Sequence, residues 1–201
     1  MCEQISSLTL APLYYYKNFL SNDDATETYN YLTNLPFVSG SVKLYGKEFT
    51  ERRLTYACGD IKYHKYSGKI MEMNRWDNKV LEVKEKISNI SNNIYNSSLL
   101  NWYRDGTDII SMHSDKEIVN NMGDVYSTVS TLSLGATRKF RIKSKVKVND
   151  MFEKIDINLN NGDLIIMGPH FQDYYTHGIP QQKKVMEGRI SLTFRYMDNN
   201  I

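Results

Sequence analysis

The chain has 201 residues, of which 41% are hydrophobic, 24% are charged and four are proline, a composition that excludes disordered and low-complexity classes. A chain of this length can bury roughly 70% of its unfolded surface around one core. The net charge of +2 excludes a protein that is basic throughout but leaves room for a local basic face.

The N-terminal stretch MCEQISSLTLAPLYYY lacks a basic start followed by a long apolar run, and no segment approaches the ~20 apolar residues of a membrane span. Residues 21–35 carry the first helix signature. Ser21 with Asp24 three residues on can form a capping box, and Ala25, Tyr29 and Leu32 recur at helical spacing until Pro36. Residues 38–68 are rich in aromatics, bases and glycine without a helical period, which predicts short strands and exposed loops. A second helix is predicted over 76–91, with Trp76, Val80, Val83, Ile87 and Ile90 on one apolar stripe.

From about residue 98 the period changes to two. Asn101, Tyr103 and Asp105 alternate with their neighbours, followed by Phe140, Ile142 and Val146, and then by Ile155, Ile157 and Leu159 leading into an Asn161-Gly162 turn. Leu164–Met167 reads as a fully buried strand, and Ile190, Leu192, Phe194 and Tyr196 as one face of a half-buried one. Short strands after a helical start predict an α+β chain whose core is an antiparallel barrel or jelly roll, with helices packed outside. Cys2 and Cys58 form no disulfide framework and match no zinc spacing, so a reducing compartment and a soluble, intracellular protein are expected.

His113 and Asp115 are two apart, so in an extended segment both leave the same face and aim at one spot. A third metal ligand must come from His64, His170 or His177; His177, in YYTHGIP, stands where a loop is expected to meet the final strand at an edge, and is chosen. Two imidazoles and one carboxylate would leave the other metal positions open. An HxD pair also describes an ordinary surface hydrogen-bonded pair, so its weight depends on company.

That company is RISLTFR. Arg189 and Arg195 are six apart, so both leave the face opposite Ile190, Leu192 and Phe194, with Ser191 and Thr193 between them. Their backbones stand roughly 20 Å apart at about 3.3 Å per residue, and two arginine arms of roughly 6 to 7 Å each would close on a small dicarboxylate. Asn101 and Tyr103 share a face on an earlier strand and can donate further hydrogen bonds. The alternative is that both arginines are simply exposed.

In this order NWYRDGTDIISMHSDKE, SLGATRKF, NGDLIIM, HGIP and RISLTFR resemble the AlkB family of Fe(II)- and 2-oxoglutarate-dependent nucleic-acid dioxygenases, and most closely its animal-type DNA-repair members. The resemblance covers about residues 38–197, and its NxYxDGxDxIxxHxD and RxxxxxR blocks are highly specific. It implies a double-stranded β-helix core. It implies iron held by His113, Asp115 and His177, and 2-oxoglutarate held by Asn101, Tyr103, Arg189, Thr193 and Arg195. The implied reaction consumes O2, turns 2-oxoglutarate into succinate, hydroxylates the alkyl carbon of a damaged base and releases formaldehyde from a methyl lesion.

The resemblance also implies nucleic-acid contacts, with the base flipped from the duplex. Tyr45, flanked by Gly46 and Lys47, looks like the wedge that fills the gap, and His64 and Tyr66 look like the stacking pair, with one residue missing from their loop. Arg53 and Asp60 in RRLTYACGD match a PRxxxxYGD stretch in which Arg52 replaces the proline and Cys58 the tyrosine. Lys116 and Glu117 stand where the family places acidic contacts to the base; a buried lysine disfavours a cationic lesion, so Glu117 must compensate or Lys116 must point away. Bases interleave with aromatics in 43–75 (Lys43, Lys47, Arg52, Arg53, Lys62, Lys65, Lys69, Arg75), and Arg138, Lys139, Arg141, Lys143, Lys145 and Lys147 follow in 138–147. The second run reads equally as a phosphate-tracking surface or as a strand edge protected by lysines.

The expectation is therefore one monomeric dioxygenase domain over 1–201, with a nucleotide-recognition lid at 38–75 and the double-stranded β-helix at 98–197. Alkylated DNA carrying 1-methyladenine or 3-methylcytosine is the expected partner, no membrane is involved, and the compartment, nuclear or cytoplasmic, is left open. The alternatives are an RNA demethylase, or a nucleic-acid-binding or protein-hydroxylating descendant of the fold.

Overall fold

The computed structural model describes residues 2–44, 47–66, 69–115 and 128–197, with side chains in 42–49 and 64–71 left aside. In chain order the elements are β1 (Cys2–Gln4), β2 (Leu13–Tyr16), α1 (Asn22–Leu32), β3 (Val38–Leu44), β4 (Lys47–Gly59), β5 (Tyr63–Tyr66), β6 (Lys69–Glu72) and α2 (Asn78–Ser91). They continue with β7 (Ser97–Tyr103), β8 (Ile110–His113), β9 (Val129–Gly135), β10 (Arg138–Val148), β11 (Met151–Leu159), β12 (Leu164–Met167), α3 (Phe171–Tyr174), β13 (Tyr175–Ile179) and β14 (Arg189–Arg195).

Both long helices start where their caps dictate. Ser21 Oγ accepts from the Asp24 N–H at 3.1 Å, and the Asp24 carboxylate accepts back from the Ser21 hydroxyl at 2.7 Å. Asp77 caps α2 by accepting from the Lys79 and Val80 N–H groups. Val80, Val83 and Ile87 are buried as the stripe predicts, whereas Ile90 lies beyond the packed face and is exposed.

The strands form an antiparallel sheet of eight in the order β1, β2, β12, β9, β14, β7, β4, β3, a sheet of four in the order β11, β10, β13, β8, and the β5–β6 pair. Alternation along each strand divides the core in two. Leu164 and Ile166 of β12, with Ile190, Leu192 and Phe194 of β14, pack on α1 and α2. Ile165 and Met167 face the other way, against Phe140, Ile142 and Ile179 of the smaller sheet. The large sheet is thus covered on both faces, by helices and by a second sheet.

This layering corrects several expectations. Strand β14 is buried at all seven positions, not half-buried, and Tyr196 lies beyond it and is exposed. The region expected to hold only short strands contains the 13-residue β4, which joins the large sheet beside β7. Val146 is exposed because the β10–β11 register shifts between Lys143 and Lys147. Strand β2, four residues rich in tyrosine with no period of its own, pairs with β12.

Gly162 and Gly106 are required by geometry. Gly162, in the expected turn, has φ +84°, a conformation glycine adopts without steric cost. At Gly106 a Cβ would lie 1.9 Å from the Gln182 carbonyl. The Gly106 N–H donates to the Val185 carbonyl, and its own carbonyl accepts from the Gln182 N–H, both at 2.8 Å. That close approach ties the loop after β7 to the one leading into β14. No helix among the described residues is long and apolar enough to cross a membrane.

Candidate active site

His113 closes β8 and His177 lies in β13, and the two are cross-strand partners with ring centroids 4.5 Å apart. His177 is therefore in the interior of the smaller sheet, between β10 and β8, and not at the edge expected from its sequence. Asp115 follows two residues after His113. Its N–H donates to Gln172 Oε1 at 2.8 Å, and the neighbouring Ser114 hydroxyl donates to the Tyr175 carbonyl at 2.9 Å.

Asp115 Oδ1 is 3.8 Å from His113 Nε2, and Oδ2 is 3.6 Å from His177 Nε2. Ligand atoms of the three residues lie within 4.8 Å of one another, and they are the one such group among the described residues. His113 Nδ1 is bonded to the Ser111 carbonyl at 2.8 Å, which sets the tautomer that leaves Nε2 to bind a metal. Loss of hydration pushes both imidazoles down, His177 to about 3, against the opposing pull of Asp115. Both are held in the neutral form that ligates metal. Two imidazoles and a carboxylate on one side of a shared point fit a divalent iron.

Because the Asp115 backbone is fixed by Gln172 on α3, Gln172→Ala should weaken metal binding about 10- to 100-fold, as losses of supporting contacts around metal ligands generally do. Co(II) absorption titrations would measure this, and an unchanged affinity would remove Gln172 from the site.

The large sheet supplies the other wall. Arg189, Thr193 and Arg195 of β14 and Asn101 and Tyr103 of β7 line the same pocket as the three metal-binding candidates. Arg195 Nη2 donates to Asp115 Oδ1 at 2.5 Å and so marks the metal end of its row. Arg189 marks the other end. Its Nε donates to Ser133 Oγ at 2.9 Å, while Nη1 and Nη2 are buried and make no hydrogen bond of standard geometry among the described residues, the nearby Tyr103 side chain favouring the charge. Burial pushes the Arg189 guanidinium down to about 10, so it stays charged at neutral pH. A buried cation with two unsatisfied donors is costly unless an anion completes it, and a carboxylate of 2-oxoglutarate fits that need. Asn101 Oδ1 accepts from Arg53 Nε at 2.9 Å, which leaves the amide NH2 to donate into the pocket.

A family described as the 2OG-Fe(II) oxygenase superfamily matches residues 12–195. This chain belongs to the 2OG-Fe(II) oxygenase superfamily. Within it the chain falls in the AlkB family. It is 33% identical over 153 residues to "Alpha-ketoglutarate-dependent dioxygenase alkB homolog 3" of Rattus norvegicus, covering 73% of this chain and 50% of that protein. It is 34% identical over 153 residues to the Bos taurus protein of the same name, covering 73% of this chain and 52% of that one. It is 28% identical over 160 residues to "DNA oxidative demethylase ALKBH2" of Mus musculus, covering 77% of this chain and 65% of that protein. The chain thus spans about half the length of the alkB homolog 3 proteins. Among solved structures, "The structure of OsALKBH1" matches with a TM-score of 0.63 at 15% identity, covering 94% of this chain and 99% of that one, a likeness of fold.

In this chain the residues expected to meet nucleic acid are distributed differently from the metal set. Arg53 is buried; its Nη2 pairs with Glu51 at 2.8 Å and its Nε bonds Asn101. It stands behind the pocket and not on an open phosphate-binding surface. The signal was present in β4, where Tyr56 and Cys58 join the helix-side core, so Arg53 and Thr55 must face the other way. Tyr45, Gly46, Lys116 and Glu117 lie outside the described residues, as do the side chains of Lys47, His64 and Tyr66. The backbones of His64 and Tyr66 pair with Met71 and Lys69 across the β5–β6 hairpin.

The run 138–147 is not one uniform basic surface. Arg138 is fully buried, and Arg141 and Lys139 share Asp156, the former through two bonds of 2.7 and 2.8 Å. Lys143, Lys145 and Lys147 remain exposed. Gln172, Ser133 and the inward turn of Arg138 leave no local signal in the sequence, since each depends on a partner distant in the chain.

Proposed function

We propose that this chain is a DNA-repair dioxygenase that removes methyl groups from alkylated bases, 1-methyladenine and 3-methylcytosine, using Fe(II), O2 and 2-oxoglutarate. The observation that carries the reading is a single pocket in which the ligand atoms of His113, Asp115 and His177 converge while Arg189 presents two buried, unpartnered Nη donors. The names of the relatives, an α-ketoglutarate-dependent dioxygenase and a DNA oxidative demethylase, support it.

His113, Asp115 and His177 hold the metal, with Arg195 keeping the carboxylate in place. Arg189, Asn101, Tyr103, Thr193 and Arg195 hold the cosubstrate, its 2-oxo acid end toward the metal ligands and its second carboxylate toward Arg189. When bound, iron and 2-oxoglutarate supply an oxidation that consumes O2 and yields succinate, CO2 and, from a methyl lesion, formaldehyde. The protein contributes aim and the exclusion of water. Phe140, stacked on His177 with centroids 5.2 Å apart, walls the metal side with apolar surface.

On this reading the large and small sheets are the two halves of a double-stranded β-helix with helices outside, and residues 1–201 act as one domain and as a monomer within the cell. Residues 38–75 form the lid over the substrate. Tyr45, with Gly46 and Lys47, wedges the duplex, and His64 and Tyr66 stack the flipped base. Lys116 and Glu117 contact the base, and Arg53 acts from behind the pocket.

The test is formaldehyde release from oligonucleotides carrying 1-methyladenine or 3-methylcytosine, as single-stranded DNA, duplex DNA and RNA, with Fe(II) and 2-oxoglutarate present. Release from DNA that stops when either is omitted is the expected result. Release from RNA alone would move the substrate to RNA. Turnover of 2-oxoglutarate with no nucleic-acid product would overturn the reading.

A further inference from the structure

Arg138 opens β10 in the sequence ThrArgLysPhe and is among the largest fully buried side chains. A buried guanidinium needs its donors satisfied and its charge balanced. The donors are accounted for by two loops. Nη1 donates to the Asp105 carbonyl at 2.8 Å, and Nη2 donates to the Asp108 and Pro180 carbonyls at 2.9 and 3.0 Å. Nε approaches Gln182 Oε1 at 3.4 Å.

The charge is balanced only from a distance: the Asp108 and Asp105 carboxylates favour it, but no carboxylate among the described residues forms a direct ion pair with Arg138, whose contacts are neutral carbonyls and one amide. Its guanidinium carbon instead lies 5.6 Å from the centre of the Tyr103 ring, and that of Arg189 lies 5.3 Å from the same ring. One aromatic ring therefore serves two buried cations, and only Arg189 reaches the pocket. The Arg138 charge also pushes the Arg189 guanidinium down, a smaller influence than burial itself. Two like charges against one ring in a poorly solvated region favour a ligand carrying negative charge at that end.

We infer that Arg138 is a positioning residue for the dicarboxylate cosubstrate: it holds the 104–108 and 180–182 loops against Tyr103, fixes that ring beside Arg189, and adds its own charge to the attraction for the second carboxylate. The inference rests on the reading of the Arg189 pocket given above. It does not require Arg138 to touch the ligand. It does require the residue to discriminate between ligands by charge, which a purely structural clamp would not do.

The test compares Arg138→Met and Arg138→Lys with the unsubstituted protein. Binding of 2-oxoglutarate and of pyruvate, which keeps the 2-oxo acid end and lacks the second carboxylate, is measured on protein loaded with Mn(II), together with melting temperature. Arg138→Met should weaken 2-oxoglutarate binding on the order of tenfold, given a charge acting across one aromatic ring in a medium of intermediate dielectric, and pyruvate binding far less. Arg138→Lys keeps the charge and loses the fork, so it should lower the melting temperature while preserving most of the preference for the dicarboxylate. Equal weakening of both ligands in Arg138→Met would overturn the inference, as would loss of the preference in Arg138→Lys. The latter arm stands alone if the methionine variant does not fold. Failure of the unsubstituted protein to bind 2-oxoglutarate would overturn the pocket reading and this inference together; normal binding with an unaltered Arg138→Met would overturn the inference alone.

Discussion

Asp115→Ala should abolish metal-dependent turnover and also lower the melting temperature, on the order of 10 °C. The first effect follows from geometry: the carboxylate faces both imidazoles, with an oxygen 3.6 to 3.8 Å from each Nε2, and two histidines alone do not make a facial set for iron. The second follows from Arg195, which is buried and bonded to Asp115. Removing one partner of a buried ion pair leaves the other charge uncompensated, at a cost of about 3–5 kcal/mol, and each kcal/mol moves the midpoint of a chain this size by about 2–4 °C. Asp115→Asn separates the two. The amide oxygen can still accept from Arg195, so metal binding should be lost with a smaller fall in melting temperature. Metal analysis and thermal unfolding of both variants would check this. An Asp115→Ala protein that retains iron would remove Asp115 from the ligand set.

Arg189→Met should produce the opposite combination, a large loss of cosubstrate affinity with no loss of stability. Two Nη donors await an anion, and hydrogen bonds involving a charged group contribute roughly 1.5–3 kcal/mol each, so affinity for 2-oxoglutarate should fall at least about 100-fold. Without ligand, however, Arg189 is a desolvated cation with two unsatisfied donors. Methionine has similar reach and no charge to bury, so the free protein should melt at the same or a higher temperature, even with Ser133 Oγ losing its donor. Titration with 2-oxoglutarate and unfolding of the ligand-free protein are the measurements. A variant that binds normally, or one that is strongly destabilised without ligand, would show that Arg189 is a structural cation and not a cosubstrate anchor.

These two arginines also show how much was legible in the chain. The even spacing of RISLTFR forces Arg189, Ser191, Thr193 and Arg195 onto one face whatever surrounds the strand, because successive side chains of an extended backbone alternate. The same rule brought His113 and Asp115 to one side and paired Asn101 with Tyr103. The cap at Ser21 is local for the same reason, its partner Asp24 being three residues away, and the turn at Gly162 needs only the glycine's own positive φ. Where a side chain's neighbour comes from a distant strand, the sequence was silent or misleading. Arg53 and Arg138 read as surface bases and are buried, one against Asn101 and Glu51, the other against carbonyls from two loops.

The sequence by itself therefore determined which residues share a face, where the helices begin, and which side chains carry the chemistry of metal and carboxylate binding. Only the tertiary structure decided that β14 is covered on both faces, that His177 sits mid-sheet opposite His113, and that Gln172 holds Asp115. The physical reason is that alternation is a property of one strand, whereas burial depends on what the sheets stack against, and charge becomes costly only once that stacking has removed the water.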